Sequence, residues 1–397
     1  MPEACYLDWA ATAPLGEESA RAMAPYMVPG TGNILFGGNA NSLHTAGRAA
    51  FAALEAARET IAAGLNARRP DEVIFTSGAT ESNNAALSGI VSACQRRALQ
   101  QGRRGFIPHI VVSAIEHDSV LEPARKLKAQ GFELTELKCD RNGFIGAGAL
   151  RDALRDNTVL VSIQTANNEI GTIQDINALV SVAHVGGALF HTDAVQALGK
   201  IPLDLAASGV DAASFSAHKV QGPKGVGLLY LKAMTPFNAY LAGGGQEQGR
   251  RSGTQNVCGA VGFAAACVAV QARQAEEQRR LMQLRDRLYR ELAAFKGVFP
   301  SVAVEAGSGR FLPHIVNVCV AGFESETLIL RLDRAGFAVS GGSACSSHSL
   351  EPSHVLRAIG VADQKALGSL RLSFGYYTKE SDIDAFLAAF SESLKEH

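Results

Sequence analysis

Short apolar runs alternate with helical patterns between about residues 68 and 231. The runs that predict β-strands are residues 72–76, 109–114, 158–164, 187–191, 212–215 and 226–231. Each run is almost continuously apolar, which is typical of strands whose sheet is covered by helices on both faces. Strands that alternate with helices in this way predict a doubly wound α/β domain.

The pattern changes after a glycine-rich segment at residues 243–253. Residues 257–295 predict a long helical connection that is first apolar and then charged. From residue 302 onward, strand candidates at 314–320 and 370–374 mix with amphipathic helices, which indicates a smaller α+β domain. We therefore predict a large domain over residues 15–256 and a smaller domain built from residues 1–14 and 257–397.

The length and composition agree with two cores and limit the class of partner. The 397 residues are 47% hydrophobic and 19% charged, so the chain is long enough to bury a large core and a second, smaller one. Its 37 basic and 38 acidic residues are mixed along the sequence. The surface should therefore have no extended patch of one charge sign that would attract nucleic acid. We expect a small-molecule substrate and no binding to nucleic acid.

The remaining composition favours a reducing compartment. The first residues lack a basic region followed by an apolar run, and the longest apolar stretch is far shorter than the roughly 20 residues of a membrane span. The seven cysteines show neither metal-ligand spacing nor the even number typical of a disulfide framework. We expect a cytoplasmic protein with reduced thiols, no metal site and no membrane partner.

Polar residues follow the predicted strands closely. They are Thr80, His117, Asn168, Asp193 and Lys219. In an open parallel sheet, the carboxyl ends of the strands border the ligand crevice. We therefore expect these five side chains to converge on one site.

Three of these elements together predict a pyridoxal 5′-phosphate site. Lys219 follows a strand and precedes a glycine-rich turn, where a lysine can form a Schiff base, although most lysines are ordinary surface residues. Asp193 can pair with a protonated pyridine nitrogen or, alternatively, cap the next helix. Residues 75–82 run from a strand through small residues into a helix start, whose N–H groups suit a phosphate. Such junctions are common, and it is the combination that carries the prediction.

A series of ordered motifs runs nearly from end to end of the chain. They are YLDWAATAP, GNANSLHTAG, FTSGATESNNAA, EHDSVLEP, QTANNEIGTIQDI, HTDAVQALGKIPLD, SFSAHKVQGPKGVGLLY, GGGQEQGRRSGTQNV, SGGSACSSHSLEPSHVLRAIG and LRLSFG. In order and spacing they resemble the class V aminotransferase superfamily and, within it, the cysteine desulfurases of the NifS/IscS type. The resemblance implies the α/β fold of PLP-dependent transferases of fold type I, with a mostly parallel seven-stranded sheet between helices and a smaller α+β domain.

The resemblance also implies roles for individual residues. Lys219 would hold the cofactor, and His117 would stack on its ring and exchange protons with the substrate. Arg371 and Asn168 would bind the substrate, although an arginine could also form a surface salt bridge. Thr254 would reach the phosphate from the second subunit of a homodimer. The full set implied for cofactor binding is Ala79, Thr80, Asn168, Asp193, Gln196, Ser216, His218, Lys219 and Thr254.

Cys345 distinguishes sulfur chemistry from ordinary transamination. It lies in a run of small residues at 340–348 that predicts a loop, whereas a buried structural cysteine would have bulkier neighbours. The resemblance implies that its thiolate takes sulfur from L-cysteine as a persulfide and leaves L-alanine. A sulfur acceptor or iron–sulfur scaffold protein would then collect the sulfur, and Cys345 is also a candidate transient cluster ligand.

Two other functions remain open at this stage. A selenocysteine lyase, or another PLP-dependent carbon–sulfur lyase, would share Lys219 and Asp193 but would not need Cys345. A non-catalytic scaffold of the same fold would need none of these residues, so retention of Lys219, Asp193, His117 and Cys345 together argues against it.

Overall fold

The computed structural model describes residues 5–27, 37–342 and 351–395. Within these residues the chain builds four hydrophobic cores. Two lie on opposite sides of a large central sheet, one surrounds a smaller sheet near the carboxyl end, and a small one includes Phe311 and Leu356. The smaller sheet and the amino-terminal residues pack beside the large sheet and complete the molecule.

The central sheet has seven strands in the spatial order β2-β8-β7-β6-β5-β3-β4. They are β2 (Val73–Thr76), β3 (His109–Ser113), β4 (Glu133–Leu137), β5 (Thr158–Ser162), β6 (Leu189–Asp193), β7 (Ala212–Ser216) and β8 (Gly227–Leu231). Strand β8 runs antiparallel to both of its neighbours, β2 and β7, whereas the other adjacent pairs are parallel. The mostly parallel seven-stranded sheet of the predicted fold class is confirmed.

The six apolar runs in this region each coincide with a strand, with ends that differ by at most a few residues. The hydrophobic pattern gave no sign of β4. This strand is an edge strand, and its Glu133 and Glu136 side chains pair with Arg155 and Arg125 at the surface. Charged residues on an edge strand discourage pairing with other chains, and they also remove the apolar signal.

Helices cover both faces of this sheet. They are α1 (Glu17–Met27), α2 (Thr45–Gly64), α3 (Ala79–Gln100), α4 (Asp118–Ala129), α5 (Ala147–Ala153), α6 (Ile176–Val185) and α7 (Leu205–Ser208). Neighbouring residues of one strand enter opposite cores: Ile110 and Val112 pack with α3 and α4, whereas Val111 packs on the other face with α2 and α6. This two-sided burial explains the continuous apolar runs.

The carboxyl-terminal part contains a three-stranded antiparallel sheet in the order β12-β10-β9. Its elements, together with the amino-terminal strand, are β1 (Cys5–Tyr6), α8 (Val257–Ala272), α9 (Gln274–Leu292), β9 (Val298–Pro300), β10 (Ile315–Val320), α10 (Ser325–Arg334), β11 (Phe337–Ala338), α11 (His354–Ala358), α12 (Asp363–Ala366), β12 (Ser369–Ser373) and α13 (Glu380–Lys395). Strand β1 pairs with β11, so the amino terminus joins this part of the molecule.

Helices α8 and α9 form the predicted helical connection, but they meet at a bend of 69°. The buried residues of α8, including Phe263, belong to the core of the large sheet, where the helix packs against α1 and α2. The predicted division at residues 256 and 257 remains a prediction, and this packing favours a boundary after α8.

No single helix in the described part of the chain is long and apolar enough to cross a membrane. Taken together as a bent pair, α8 and α9 are long and apolar enough to cross one, by length and composition only. The apolar side chains of α8 are used in the core of the large sheet.

Gly227 is required where β8 begins, beside the turn that follows β2. A Cβ atom at this position would lie 2.6 Å from Gly78 Cα and 2.6 Å from the Phe215 carbonyl oxygen. Because both are backbone atoms, we predict that Gly227→Ala lowers the free energy of unfolding by about 1–3 kcal/mol, measured by urea denaturation.

Gly146→Ala is the matched control, because a Cβ there meets nothing within 4 Å and its φ of −76° suits any residue. This variant should keep the stability of the native protein within about 0.5 kcal/mol. Equal stability of the two variants would contradict the steric explanation.

Candidate active site

A cavity of about 480 Å³ lies at the carboxyl ends of the parallel strands. The structure brings most of the predicted site residues together in its lining: Lys219, His117, Ala79, Thr80, Asn168, Asp193, Gln196, Ser216, His218 and Arg371. They come from the ends of β2, β3, β5, β6 and β7 and from β12. Convergence of strand ends on one crevice is what a parallel sheet of this kind provides.

The amino terminus of α3 forms one end of the cavity. Gly78 precedes the helix, Ala79 and Thr80 lie in its first turn, and the first turn of a helix presents backbone N–H groups to an anion. The nearby Glu81 carboxylate binds the guanidinium of Arg251, with Oε1 2.8 Å from Nε. Arg251 therefore balances the negative charge that Glu81 brings to this end.

His218 lies beside the same helix terminus. Its Nδ1 atom is 3.1 Å from Thr12 Oγ1. Burial, followed by the positive charges of Lys219 and Lys224, lowers the pKa of His218 to about 4. The ring is thus neutral near pH 7, and cationic charge at this end comes from the lysines and the helix terminus.

Lys219 follows β7 and reaches the amino-terminal segment. Its Nζ atom donates to the carbonyl oxygens of Ala10 at 2.6 Å and Ala11 at 2.7 Å. Gln196 Nε2 donates to the same Ala10 oxygen at 3.0 Å. The amino-terminal segment therefore forms a polar wall that fixes both side chains in the cavity.

Asp193 ends β6 with its carboxylate in the cavity lining. Oδ2 accepts a hydrogen bond from Asn83 Nδ2 at 2.7 Å, and Oδ1 accepts one from the Val195 backbone N–H at 3.0 Å. These two donors fix the orientation of a carboxylate of the kind that can pair with a pyridinium nitrogen. Asp193 does not cap a regular helix in the described residues, because a turn follows it.

His117 precedes α4 and acts as its N-cap. Its Nδ1 atom accepts a hydrogen bond from the Ser119 backbone N–H at 3.1 Å. Because a backbone N–H can only donate, Nδ1 carries no proton, and the neutral ring has its proton on Nε2.

Arg371 is a buried residue of β12, with 1% of its surface exposed. Nη2 donates to Asp8 Oδ1 at 2.8 Å, and Nη1 donates to the Asn168 carbonyl oxygen at 3.0 Å. Its Nε atom has no hydrogen-bond partner in the part of the chain that the structure describes. Arg371 therefore does form an ion pair, with Asp8, but its guanidinium is buried beside the cavity and not at the surface.

One predicted residue, Thr254, is not brought into the cavity, and another, Cys345, lies outside the described residues. Thr254 is exposed and does not contribute to the lining, so its predicted role depends on a second subunit. Cys345 lies in residues 343–350, outside the described residues, and its predicted role remains a prediction.

The two described flanks of that segment meet at Glu169. Glu169 Oε2 accepts a hydrogen bond from Ser353 Oγ at 2.6 Å, and Ser353 in turn caps α11. On the other flank, a Cβ atom at Gly342 would lie 3.2 Å from the same oxygen. Glu169 is next to Asn168, which lines the cavity, so the described residues on both sides of this segment lie near the cavity.

Sequence reasoning missed several functional residues inside the motifs that it identified. They are Asp8, Asn83, Glu116, Ser119 and Glu169. Their only signal in the sequence was a polar residue within a motif. Their importance follows from burial and from partners far away in the chain, which residue types alone do not reveal.

The donor set fits pyridoxal 5′-phosphate. The first turn of α3 suits the phosphate, Asp193 suits the ring nitrogen, and the Lys219 amino group lies in the same cavity. Among the residues that the structure describes, no group of three or more histidine, cysteine, aspartate or glutamate side chains could hold a metal ion.

Comparisons with known proteins agree with this arrangement. The Aminotransferase class-V family profile matches residues 5–386. A protein named cysteine desulfurase IscS from Dictyoglomus turgidum is 43% identical over 384 residues, which cover 97% of this chain and 93% of the relative. A solved NifS-like protein has a TM-score of 0.88 at 34% identity, covering 99% of this chain and 100% of that protein. A protein named SspA, solved in complex with cysteine, has a TM-score of 0.76 at 31% identity and covers 94% and 99%.

The chain therefore belongs to the class-V aminotransferase family. Its relatives in these comparisons include cysteine desulfurases of the IscS type and NifS-like proteins. The family and the cysteine desulfurases within it depend on pyridoxal 5′-phosphate, in agreement with the donor set of the cavity.

Glu116 lies directly before His117 and is completely buried. Burial raises the pKa of its carboxyl to about 8, although hydrogen bonds from Ser113 and the Gln164 backbone N–H oppose the rise. Its Oε2 atom has no hydrogen-bond partner among the described residues. The raised pKa means that the folded protein holds a proton that the unfolded chain releases at lower pH.

The bound proton stabilises the folded protein fully at pH values below the pKa of Glu116 in the unfolded chain. This stabilisation is lost as the pH rises to about 8, the pKa in the folded protein. Glu116→Gln keeps the neutral shape and removes that loss. We compare the free energy of unfolding of this variant with that of the native holoenzyme. The difference should shift in favour of the variant by about 1–3 kcal/mol as the pH rises from 5 to 9. Urea denaturation at several pH values measures the gain.

Glu122→Gln on the exposed face of α4 is the control, and its stability difference from the native protein should not change with pH in this way. A pH-independent difference for Glu116→Gln would show that Glu116 is already ionised in the folded protein.

Proposed function

We propose that the protein is a cysteine desulfurase that converts L-cysteine to L-alanine and leaves the sulfur as a persulfide on Cys345. The observation that carries this proposal is that Lys219, Asp193, His117 and Arg371 share one cavity. The names of the IscS relative and the cysteine-bound SspA structure support the choice of substrate.

Different parts of the cavity would bind the phosphate and the ring of the cofactor. Ala79, Thr80, Ser216 and His218 would hold the phosphate, together with Thr254 of a second subunit. Asp193, Asn168 and Gln196 would hold the ring, and Lys219 would bind the cofactor through its amino group. Pyridoxal 5′-phosphate, when bound, supplies an electron sink that allows the Cβ–S bond of the amino acid to break.

Arg371 would bind the carboxylate of L-cysteine. Its guanidinium is already oriented by Asp8 and by the Asn168 carbonyl oxygen. The Nε side offers a donor to a carboxylate, and a planar guanidinium suits this form of recognition. Burial excludes water and strengthens the interaction.

His117 and Lys219 would move the protons. The neutral ring of His117 carries its proton on Nε2 because Nδ1 is occupied by the Ser119 N–H. Lys219 Nζ is a second group in the cavity that can accept or donate a proton at a single nitrogen.

Cys345 would receive the sulfur as a thiolate, since the thiolate is the nucleophilic form of cysteine. The Cβ–S bond of the substrate breaks, and an S–S bond forms between the substrate sulfur and the Cys345 sulfur. The proton that leaves the Cys345 thiol is balanced by the proton that the substrate carbon gains. The exchange therefore needs no external oxidant.

We also infer a homodimer, a sulfur-acceptor or iron–sulfur scaffold protein as partner, and a cytoplasmic location. Exposed Leu43 and Phe51 are suited to a subunit interface, and Thr254 requires one. The described cysteines are free thiols, as in a reducing compartment. Iron–sulfur cluster assembly is one use of the sulfur that fits relatives named IscS.

The test is alanine and sulfide production from L-cysteine in the presence of a reductant. We predict that Cys345→Ala and Lys219→Ala each lose at least about 100-fold in rate, because nucleophilic groups act as units with the rest of the site. Cys345→Ala should keep the yellow colour of the bound cofactor, whereas Lys219→Ala should lose the absorption of the lysine-bound form.

Cys267→Ala is the control for removal of a thiol, since Cys267 lies in the core away from the cavity. Its folded fraction should release alanine at the native rate. Sulfur release at the native rate by Cys345→Ala would instead indicate a lyase that needs no protein thiol, such as a selenocysteine lyase acting on cysteine.

A further inference from the structure

Asn83 connects two residues of the cavity that belong to different elements. It lies on α3 and is completely buried. Its Nδ2 atom donates to Asp193 Oδ2 at 2.7 Å and to Ser119 Oγ at 2.8 Å. An amide nitrogen has two N–H donors, so one side chain uses both donors to join the end of β6 to the start of α4.

Ser119 extends this connection to His117. The Ser119 hydroxyl oxygen lies 2.8 Å from His117 Nδ1, and the Ser119 backbone N–H donates to the same nitrogen. Because the hydroxyl oxygen accepts from Asn83, its own proton can point to Nδ1. The two donors hold the neutral ring with its proton on Nε2.

Packing alone does not explain an asparagine at this position. Asn83 Oδ1 is buried and has no hydrogen-bond partner among the described residues. A buried acceptor without a partner is unfavourable, whereas both amide donors are satisfied. The side chain is therefore matched to the two groups that it donates to, namely the Asp193 carboxylate and the Ser119 hydroxyl.

We propose that Asn83 is a positioning residue that fixes the Asp193 carboxylate and, through Ser119, the orientation and tautomer of His117. The partner of the cofactor nitrogen and the Nε2 proton of His117 are thereby set by one side chain. This inference deepens the proposed function and rests on it for the roles of Asp193 and His117. The effect of Asn83 on cofactor binding can nevertheless be measured without any substrate.

The first measurement is the dissociation constant of pyridoxal 5′-phosphate, followed by absorbance, for the native protein and Asn83→Ala. We expect Asn83→Ala to bind the cofactor about 10-fold or more weakly, because a hydrogen bond to a charged group is lost. With its donor gone, the Asp193 carboxylate is held less firmly against the ring nitrogen of the cofactor. The absorption maximum of the bound cofactor should therefore differ from that of the native protein.

Ser119→Ala separates the contact of Asn83 with Asp193 from its connection through Ser119 to His117, which we call the His117 branch. This variant leaves the contact between Asn83 and Asp193 in place, so its affinity for the cofactor should stay within about twofold of native. It removes the hydroxyl from His117 Nδ1, so the rate of alanine release from L-cysteine should fall about 3- to 10-fold at saturating cofactor.

Asn84→Ala is the matched control. This neighbouring asparagine lies on the same helix, and its amide donates to the Thr80 carbonyl oxygen one turn earlier. Its affinity for the cofactor and its spectrum should be native. Circular dichroism establishes that each variant is folded, and Ser119→Ala still tests the His117 branch if Asn83→Ala does not fold.

Native cofactor affinity and a native absorption maximum in folded Asn83→Ala would overturn the role for Asp193. An unchanged rate in Ser119→Ala, or cofactor binding weakened as much as in Asn83→Ala, would overturn the branch to His117. A native protein that binds the cofactor but releases no alanine from L-cysteine would overturn the proposed function alone, since the cofactor measurements on Asn83 would still stand.

Discussion

The parallel pairing of β3, β5, β6 and β7 is the constraint on which the rest of the structure depends. Because these strands run in the same direction, their carboxyl ends lie along one edge of the sheet. Side chains that are far apart in the sequence, such as His117 and Lys219, are delivered to the same cavity. Strand β8 runs the other way beside β2, and Gly227 lets the turn before α3 approach the end of β7. The end of the cavity formed by the amino terminus of α3 is therefore fixed by the same sheet.

The rest of the cavity comes from outside the large sheet. Arg371 belongs to the smaller sheet, and its buried guanidinium is held by Asp8 of the amino-terminal segment and by the Asn168 carbonyl oxygen. The same segment supplies the carbonyl oxygens that receive Lys219. This buried cation, which is bound by two other parts of the chain, joins the smaller sheet to the rest of the cavity. Removal of one partner of such a buried pair leaves an uncompensated charge, which is costly.

Much of the fold was predictable because its signal is local. Long apolar runs gave the buried strands, and strand-end positions gave Asp193 and Lys219. Strand β4 gave no such signal because it is an edge strand with a glutamate on each face. The packing of α8 was also not predictable, since an apolar helix indicates burial but not which core it enters. Asn83 and Ser119 stand 36 positions apart and Asn83 and Asp193 stand 110 apart, so only the folded chain reveals their connection.

The central claim is that this cavity transfers the sulfur of cysteine to Cys345. The most direct measurement is a single turnover of the holoenzyme with L-cysteine, without reductant or acceptor, followed by amino-acid analysis and peptide mass spectrometry. The account predicts alanine in an amount equal to active subunits, with one additional sulfur atom on the peptide that contains Cys345. Alanine without added sulfur on that peptide, or pyruvate and ammonia in place of alanine, would contradict it.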